Sequence, residues 1–307
     1  MMSRFLNEQV TDTTTLSQQL AVIKKPEKQL AQEGIGPANI DSEYNFVYTV
    51  GTINVRFPTL SLEKEFNQAS ILSGNTVPSL DKVNDDVGLI LLNHNNDLLE
   101  LLFNGLSDPK NRYIARKMIW TLDNVDNNEV FTLLPTSNER LTQFIAALNP
   151  KCGQVIVMGT LLDGDRVAVS NIVPTSLTAL TQIIAQEKSH GAPFVDLVDE
   201  IISMNANDGN RNAERALNYV LYNNPDIYLE SYKLCYKSSQ SGPNPSGYQL
   251  VNVSVLTSVS GNRLVAKVVF DYKGINTGAS QSWYCAVDVT GEYPFLLVKW
   301  TRFLSHS

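Results

Sequence analysis

The sequence predicts an α+β fold, and three observations carry that reading. Residues 46–57 alternate in the period of two that marks a strand. Residues 141–148 and 213–221 instead place apolar side chains at i, i+3, i+4 and i+7, the spacing of a helix with one buried stripe. Beyond residue 248 four β-rich runs follow one another with turn residues between them and no helical pattern. Strand pairs are mixed with groups of helices without a sustained βαβ rhythm, which favours α+β over α/β. The expected architecture is an antiparallel sheet built from hairpins and a C-terminal four-strand meander, with several helices packed on it.

Taken in order, residues 1–43 are rich in Thr, Gln and Lys and are interrupted by Pro26, Gly34, Gly36 and Pro37, so they read as a flexible arm with one short helix near residues 16–23. A first folded region spans 44–237. Its opening strand puts Val47, Thr49, Gly51, Ile53, Val55 and Phe57 on one face, and Pro58, which cannot donate to a ladder, ends the pairing. Ser61 then caps a helix whose Leu62, Phe66 and Ala69 share a face, with Glu63, Lys64 and Glu65 as a solvated first turn. An apolar helix follows around 93–106. Residues 116–135 form two apolar runs about an Asp/Asn-rich turn, a hairpin signal, and Asp163-Gly164 marks a second hairpin. Residues 194–237 read as helical, restarted at Asn224-Pro225. The stretch 238–247, SSQSGPNPSG, is a linker or loop, and 248–307 is the meander, packed into the same globular unit.

Composition narrows the partners. A formal net charge of −7 weighs against nucleic acid and anionic membrane surfaces, which require a concentrated positive field. No apolar stretch approaches the ~20 residues of a membrane span, and the N-terminus has no apolar signal region. Cys152, Cys235 and Cys285 are odd in number and form no CxxC, which suits a reducing, cytoplasmic setting.

The common catalytic signatures are missing. The sequence has no phosphate-cradling GxxxxGK[ST], no GxGxxG after a strand and no GxSxG elbow. His94, His190 and His306 stand alone, outside any metal-ligand spacing. Cys285 alternates with Trp283 and Val287 on an apolar strand face and reads as a small hydrophobe. No cofactor and no catalytic residue is implied. Lys110, Arg112, Arg116 and Lys117 form a modest basic cluster, with Arg112 and Arg116 on one helical face.

Four blocks resemble the C-terminal domain of unknown function of PatG-type cyanobactin maturation proteases, which also occurs in PatA. They are FVYTVGTINVRFPTLSLEKEFNQA (46–69), NRYIARKMIWTL (111–122), RALNYVLYNNPDIY (215–228) and VDVTGEYPFLLVKWTRF (287–303), in register across nearly all of 44–304. In that family the domain follows a subtilisin-like protease that trims and macrocyclises ribosomally made peptides. Only about 43 residues precede the resemblance here and no Asp/His/Ser triad motif is present, so the resemblance implies a version without the protease.

The first functional expectation is therefore a non-catalytic module that recognises a precursor peptide, a maturation enzyme or a second copy of itself. It would act through an exposed strand edge or a groove beside the strand-to-helix corner. Arg56, Arg112, Arg116 and Trp120 are the candidate contacts, because Arg and aromatic residues anchor interfaces. The alternatives are an enzyme with a dispersed Cys- or zinc-dependent site and a structural oligomerisation subunit.

Overall fold

The computed structural model describes residues 45–72, 96–175, 191–237 and 247–304, and all of these lie in one compact unit, Gly34–Ser307. The expected arm over 1–43 and the linker, apart from Gly247, lie outside the described residues. The chain runs through β1 (Phe46–Arg56), α1 (Leu60–Leu72), α2 (Asn96–Ser107), a short 3-10 turn and α3 (Arg112–Lys117). It continues as β2 (Ile119–Asp123), β3 (Glu129–Pro135), α4 (Asn138–Ala147), β4 (Val155–Leu161) and β5 (Arg166–Pro174). After α5 (Gly191–Ser203), α6 (Asn212–Asn223) and α7 (Asp226–Tyr232) come β6 (Tyr248–Ser260), β7 (Arg263–Gly274), β8 (Ser280–Asp288) and β9 (Phe295–Phe303).

The first five strands close into a barrel in the order β1-β2-β3-β5-β4, and β1 closes it by changing partner. Phe46–Gly51 pair with β4, whereas Thr52–Arg56 pair with β2. Gly51 lies at the change, where an added Cβ would stand 2.9 Å from the Asp123 carbonyl carbon, so a side chain there would force the strands apart. The pairs are antiparallel except β3 with β5, which is parallel, so this sheet is mixed and not purely antiparallel as expected. The reason is the crossover through α4 and β4, which returns β5 alongside β3 in the same direction. Both predicted hairpins are present, as β2–β3 and β4–β5.

The strand-to-helix corner differs in detail from expectation. Helix α1 starts at Leu60, and Thr59, not Ser61, meets its first turn, its Oγ1 accepting from the Leu62 amide at 3.3 Å. Leu62 and Phe66 face the core as predicted, but Glu63 is 9% exposed and not solvated, while Glu65 accepts from the Tyr113 hydroxyl at 2.8 Å. The helical stretch 194–237 is divided by a loop at 204–211 and again at Asn224-Pro225.

Two apolar clusters share β1. Val47, Ile53 and Val55 belong to the barrel interior, with α1, α2 and α4 covering it. Tyr48 and Val50 point the other way, into a second cluster formed with α5, α6, α7 and the meander. Because β2 pairs with β1 only from Thr52 onward, the outer backbone of Tyr48 needs another partner. Its N–H donates to Gly209 O at 2.9 Å, and its carbonyl accepts from Asn218 Nδ2 at 3.0 Å. The meander has the expected antiparallel order β6-β7-β8-β9, and Ala266, Val268, Phe270, Cys285 and Val287 fill its covered face. Among the described residues no helix is long and apolar enough to cross a membrane.

Candidate functional site

The thiols sit where nucleophilicity is suppressed. Cys285 is fully buried on β8, with Asn224 Nδ2 3.8 Å from its sulfur, and burial, aided by Asp226, pushes its thiol up to about 12. Burial, with a contribution from Glu200, raises Cys235 to about 11 against an opposing Leu250 backbone hydrogen bond, and burial also raises Cys152. A thiolate is the reactive form, so each shift lowers reactivity at neutral pH. No group of three or more His, Cys, Asp or Glu able to hold a metal occurs among the described residues. Iodoacetamide at pH 8, followed by mass spectrometry, is expected to label Cys285 at least ~100-fold more slowly in the native protein than in urea. Labelling at the rate of a free thiol would contradict this burial.

The four residues singled out in the sequence have different surroundings. Arg56, at the end of β1, places Nη1 2.7 Å from Glu129 Oε2. Arg112 and Arg116 do share a face of α3, and both donate to the start of α4: Arg112 Nη1 to Asn138 O at 3.4 Å, and Arg116 Nη2 to Asn138 Oδ1 at 2.8 Å. Lys117 lies over the Tyr113 ring, 5.4 Å from its centroid. Trp120 is 2% exposed; its Nε1–H donates to Ala115 O at 3.0 Å and its ring meets Phe144 edge-on at 5.2 Å. The structure thus brings Arg112 and Arg116 together at the surface, joins Arg56 to β3, and places Trp120 inside, where it supports α3.

A different surface emerges at the end of the meander. β9 pairs with β8 along one edge, and among the described residues no strand pairs with its other edge. Its backbone is nevertheless firmly held. Trp300 stacks on Trp283 with centroids 5.9 Å apart and tilts against Phe270 at 5.1 Å, while Phe303 meets Tyr284 edge-on at 5.6 Å. Outward positions on this strand include Phe295, Leu297, Lys299, Thr301 and Arg302. The strand FLLVKWTRF carries two cations and no acid in a chain of net charge −7. Neither Lys299 nor Arg302 enters an ion pair among the described residues. The opposite edge, β6, has no ionisable side chain apart from Tyr248. An unpaired strand edge presents a row of N–H and C=O groups to an extended chain, and the flanking charges select which chain adds. Sequence reasoning identified this segment as a strand but missed it as an edge; its cation-only composition was the available signal.

Comparison with known proteins gives two overlapping family matches: the family described as PatG Domain over residues 46–241, and that described as PatG C-terminal over residues 184–303. A solved structure titled "PatG Domain of Unknown Function" is similar at 14% identity and a TM-score of 0.59, covering 85% of this chain and 99% of that one. At that identity the likeness concerns the fold. No curated protein matches the chain.

Proposed function

The chain belongs to the PatG domain family, and on that premise we propose that it is a peptide-recognition module in ribosomal-peptide maturation, holding an extended acidic segment along β9. The observation that carries this reading is the outer edge of β9, which no strand among the described residues pairs and which carries Lys299 and Arg302, fixed in place by the Trp283–Trp300 stack. Main-chain hydrogen bonds would supply affinity, while Lys299 and Arg302 favour acidic over basic peptides. A lysine on an edge is also a device against self-pairing. The same charge that disfavours a second copy of β9 favours an acidic strand, so a precursor peptide or an acidic segment of a maturation enzyme is the preferred partner over self-association.

A second reading places part of the contact on α3. The segment Lys110–Lys117 has four basic residues and no acidic one, and Arg112 and Arg116 face the same side. In that reading Trp120 acts from beneath, by fixing α3, while Arg56 is paired with Glu129.

A fluorescent peptide alternating Glu and Val, titrated by anisotropy, separates these readings. The Lys299→Glu/Arg302→Glu variant is expected to bind at least ~10-fold more weakly, with the wild-type affinity falling as salt rises. Arg112→Glu/Arg116→Glu is expected to change affinity by less than ~3-fold. Unchanged binding after reversal on β9, or equal binding of a peptide alternating Lys and Val, would remove the β9 assignment. Loss confined to the α3 variant would favour the second reading.

A further inference from the structure

The edge of the meander opposite β9 is built differently. Strand β6 pairs with β7 on one side, and among the described residues no strand pairs with its other side. Its ladder shifts register between Leu250 and Asn252, and from there residues 252–260 run without interruption to the turn at Gly261. Among the described residues the hydrogen bonds of this stretch run to β7 alone: the ladder itself, and Asn252 Nδ2 donating to Asp271 Oδ2 at 3.3 Å. Alternate residues of an edge strand turn N–H and C=O outward, so the free side offers a row of unpaired donors and acceptors. The usual guards against pairing are missing from it. Residues 252–260 contain no proline and no ionisable side chain, whereas β9 carries Lys299 and Arg302 and a ladder with two register shifts. Apolar surface is open here as well, with Leu256 38% and Val259 50% exposed.

Residues 252–260 read NVSVLTSVS, close to a palindrome about Leu256. Laid antiparallel on a second copy about a two-fold axis at Leu256, Leu256 meets Leu256, Val255 meets Thr257, Ser254 meets Ser258, Val253 meets Val259 and Asn252 meets Ser260. Each side chain then lies opposite one of its own kind, apolar or β-branched against the same and small polar against small polar. We propose that β6 pairs in this register with β6 of a second copy of this chain, joining the two four-stranded meanders into one continuous antiparallel sheet. A two-fold interface is self-complementary, and like charges placed directly opposite destabilise a strand pair. A neutral palindromic strand is therefore the contact that two chains of net charge −7 can share. Val253 and Val255 stand across the ladder from Phe270 and Val268, which fill the covered face, so the pairing extends that apolar layer from one copy to the other. Moving the axis by one residue would set Leu256 against Ser254 or Ser258, and the hydrophobic pattern thereby selects the register. The β9 strands stay at the two outer ends of the joined sheet, so this inference does not rest on the reading of β9.

Sedimentation velocity of the full chain from ~1 to ~300 μM tests the pairing, a range that suits interfaces at or below ~1,200 Å². The expected result is a reversible monomer–dimer equilibrium, with the dimer still present when a saturating acidic extended peptide is added. Leu256→Lys and Leu256→Glu each place two like charges face to face at the axis, and each is expected to weaken dimerisation at least ~10-fold. Leu256 is exposed, so neither charge is forced into the core. An equimolar mixture of the two variants sets an ammonium opposite a carboxylate and is expected to regain most of the dimer, because position 256 faces itself across the axis. A monomer at every concentration, a dimer indifferent to both substitutions, a mixture that remains monomeric, or a dimer dissolved by the acidic peptide would overturn the proposal.

Discussion

Replacing Arg215 with methionine is expected to lower the unfolding free energy by about 3 kcal/mol. Arg215 lies on the buried face of α6 and is 1% exposed. Its Nη1 donates to Asn212 Oδ1 at 2.9 Å and to Val289 O at 3.0 Å; its Nη2 donates to Gly291 O and, at 3.1 Å, to Glu292 O. The guanidinium carbon also lies 5.4 Å from the Phe46 ring centroid. One side chain therefore ties the helix to the turn that joins β8 to β9 and to the first residue of the barrel. Burial lowers its pKa to about 10 while Glu292 acts in the opposite sense, so the group is charged at neutral pH and its desolvation offsets part of the bond energy. The expected loss is accordingly well below the sum of four charge-assisted bonds. Methionine preserves much of the volume but leaves the Val289 carbonyl without this donor. Urea unfolding with an unchanged m-value measures the effect. Arg215→Lys is expected to recover less than half of it, since one ammonium cannot reproduce the planar fork. Wild-type stability in the methionine variant would mean that the strands alone hold the turn.

Gly209→Ala is expected to cost about 2–4 kcal/mol, for two separable reasons. Gly209 has a φ of 70°, which a Cβ disfavours by about 1–2 kcal/mol. The new methyl would also stand 2.7 Å from the Tyr48 carbonyl carbon and 2.8 Å from Asn218 Nδ2, displacing the contacts that satisfy the uncovered part of β1. Gly261 provides the control. Its φ is 63°, and a Cβ there meets nothing within 4 Å, so Gly261→Ala is expected to show the conformational cost alone. Equal losses at the two positions, read from urea midpoints, would show that close packing at Gly209 contributes nothing.

Local chemistry made the strands, the helices and both hairpins legible in the sequence. Alternation around Ile53, the Asp163-Gly164 turn and the stripe through Ala216 and Leu217 each depend on residues within a few positions of one another. The parallel β3–β5 pair was not legible, because it follows from the path of α4 and β4 and leaves no mark on either strand. Arg215 was hidden for a similar reason: the carbonyl it binds at Val289 lies 74 residues away. Trp120 illustrates the ambiguity of aromatic residues, which anchor interfaces and cores alike. Its burial became evident only when α3 and α4 were packed around it. The β9 segment was legible as a strand, yet its place at the edge of the meander is a property of the assembled sheet.

Hydrogen–deuterium exchange of the full chain, with and without a saturating acidic extended peptide, tests the central claim most directly. Capture along the meander edge predicts added protection of backbone amides within 295–303, with little change on α3. Saturable binding that leaves 295–303 unprotected, or no binding of the acidic peptide, would contradict the assignment of that edge as the recognition surface.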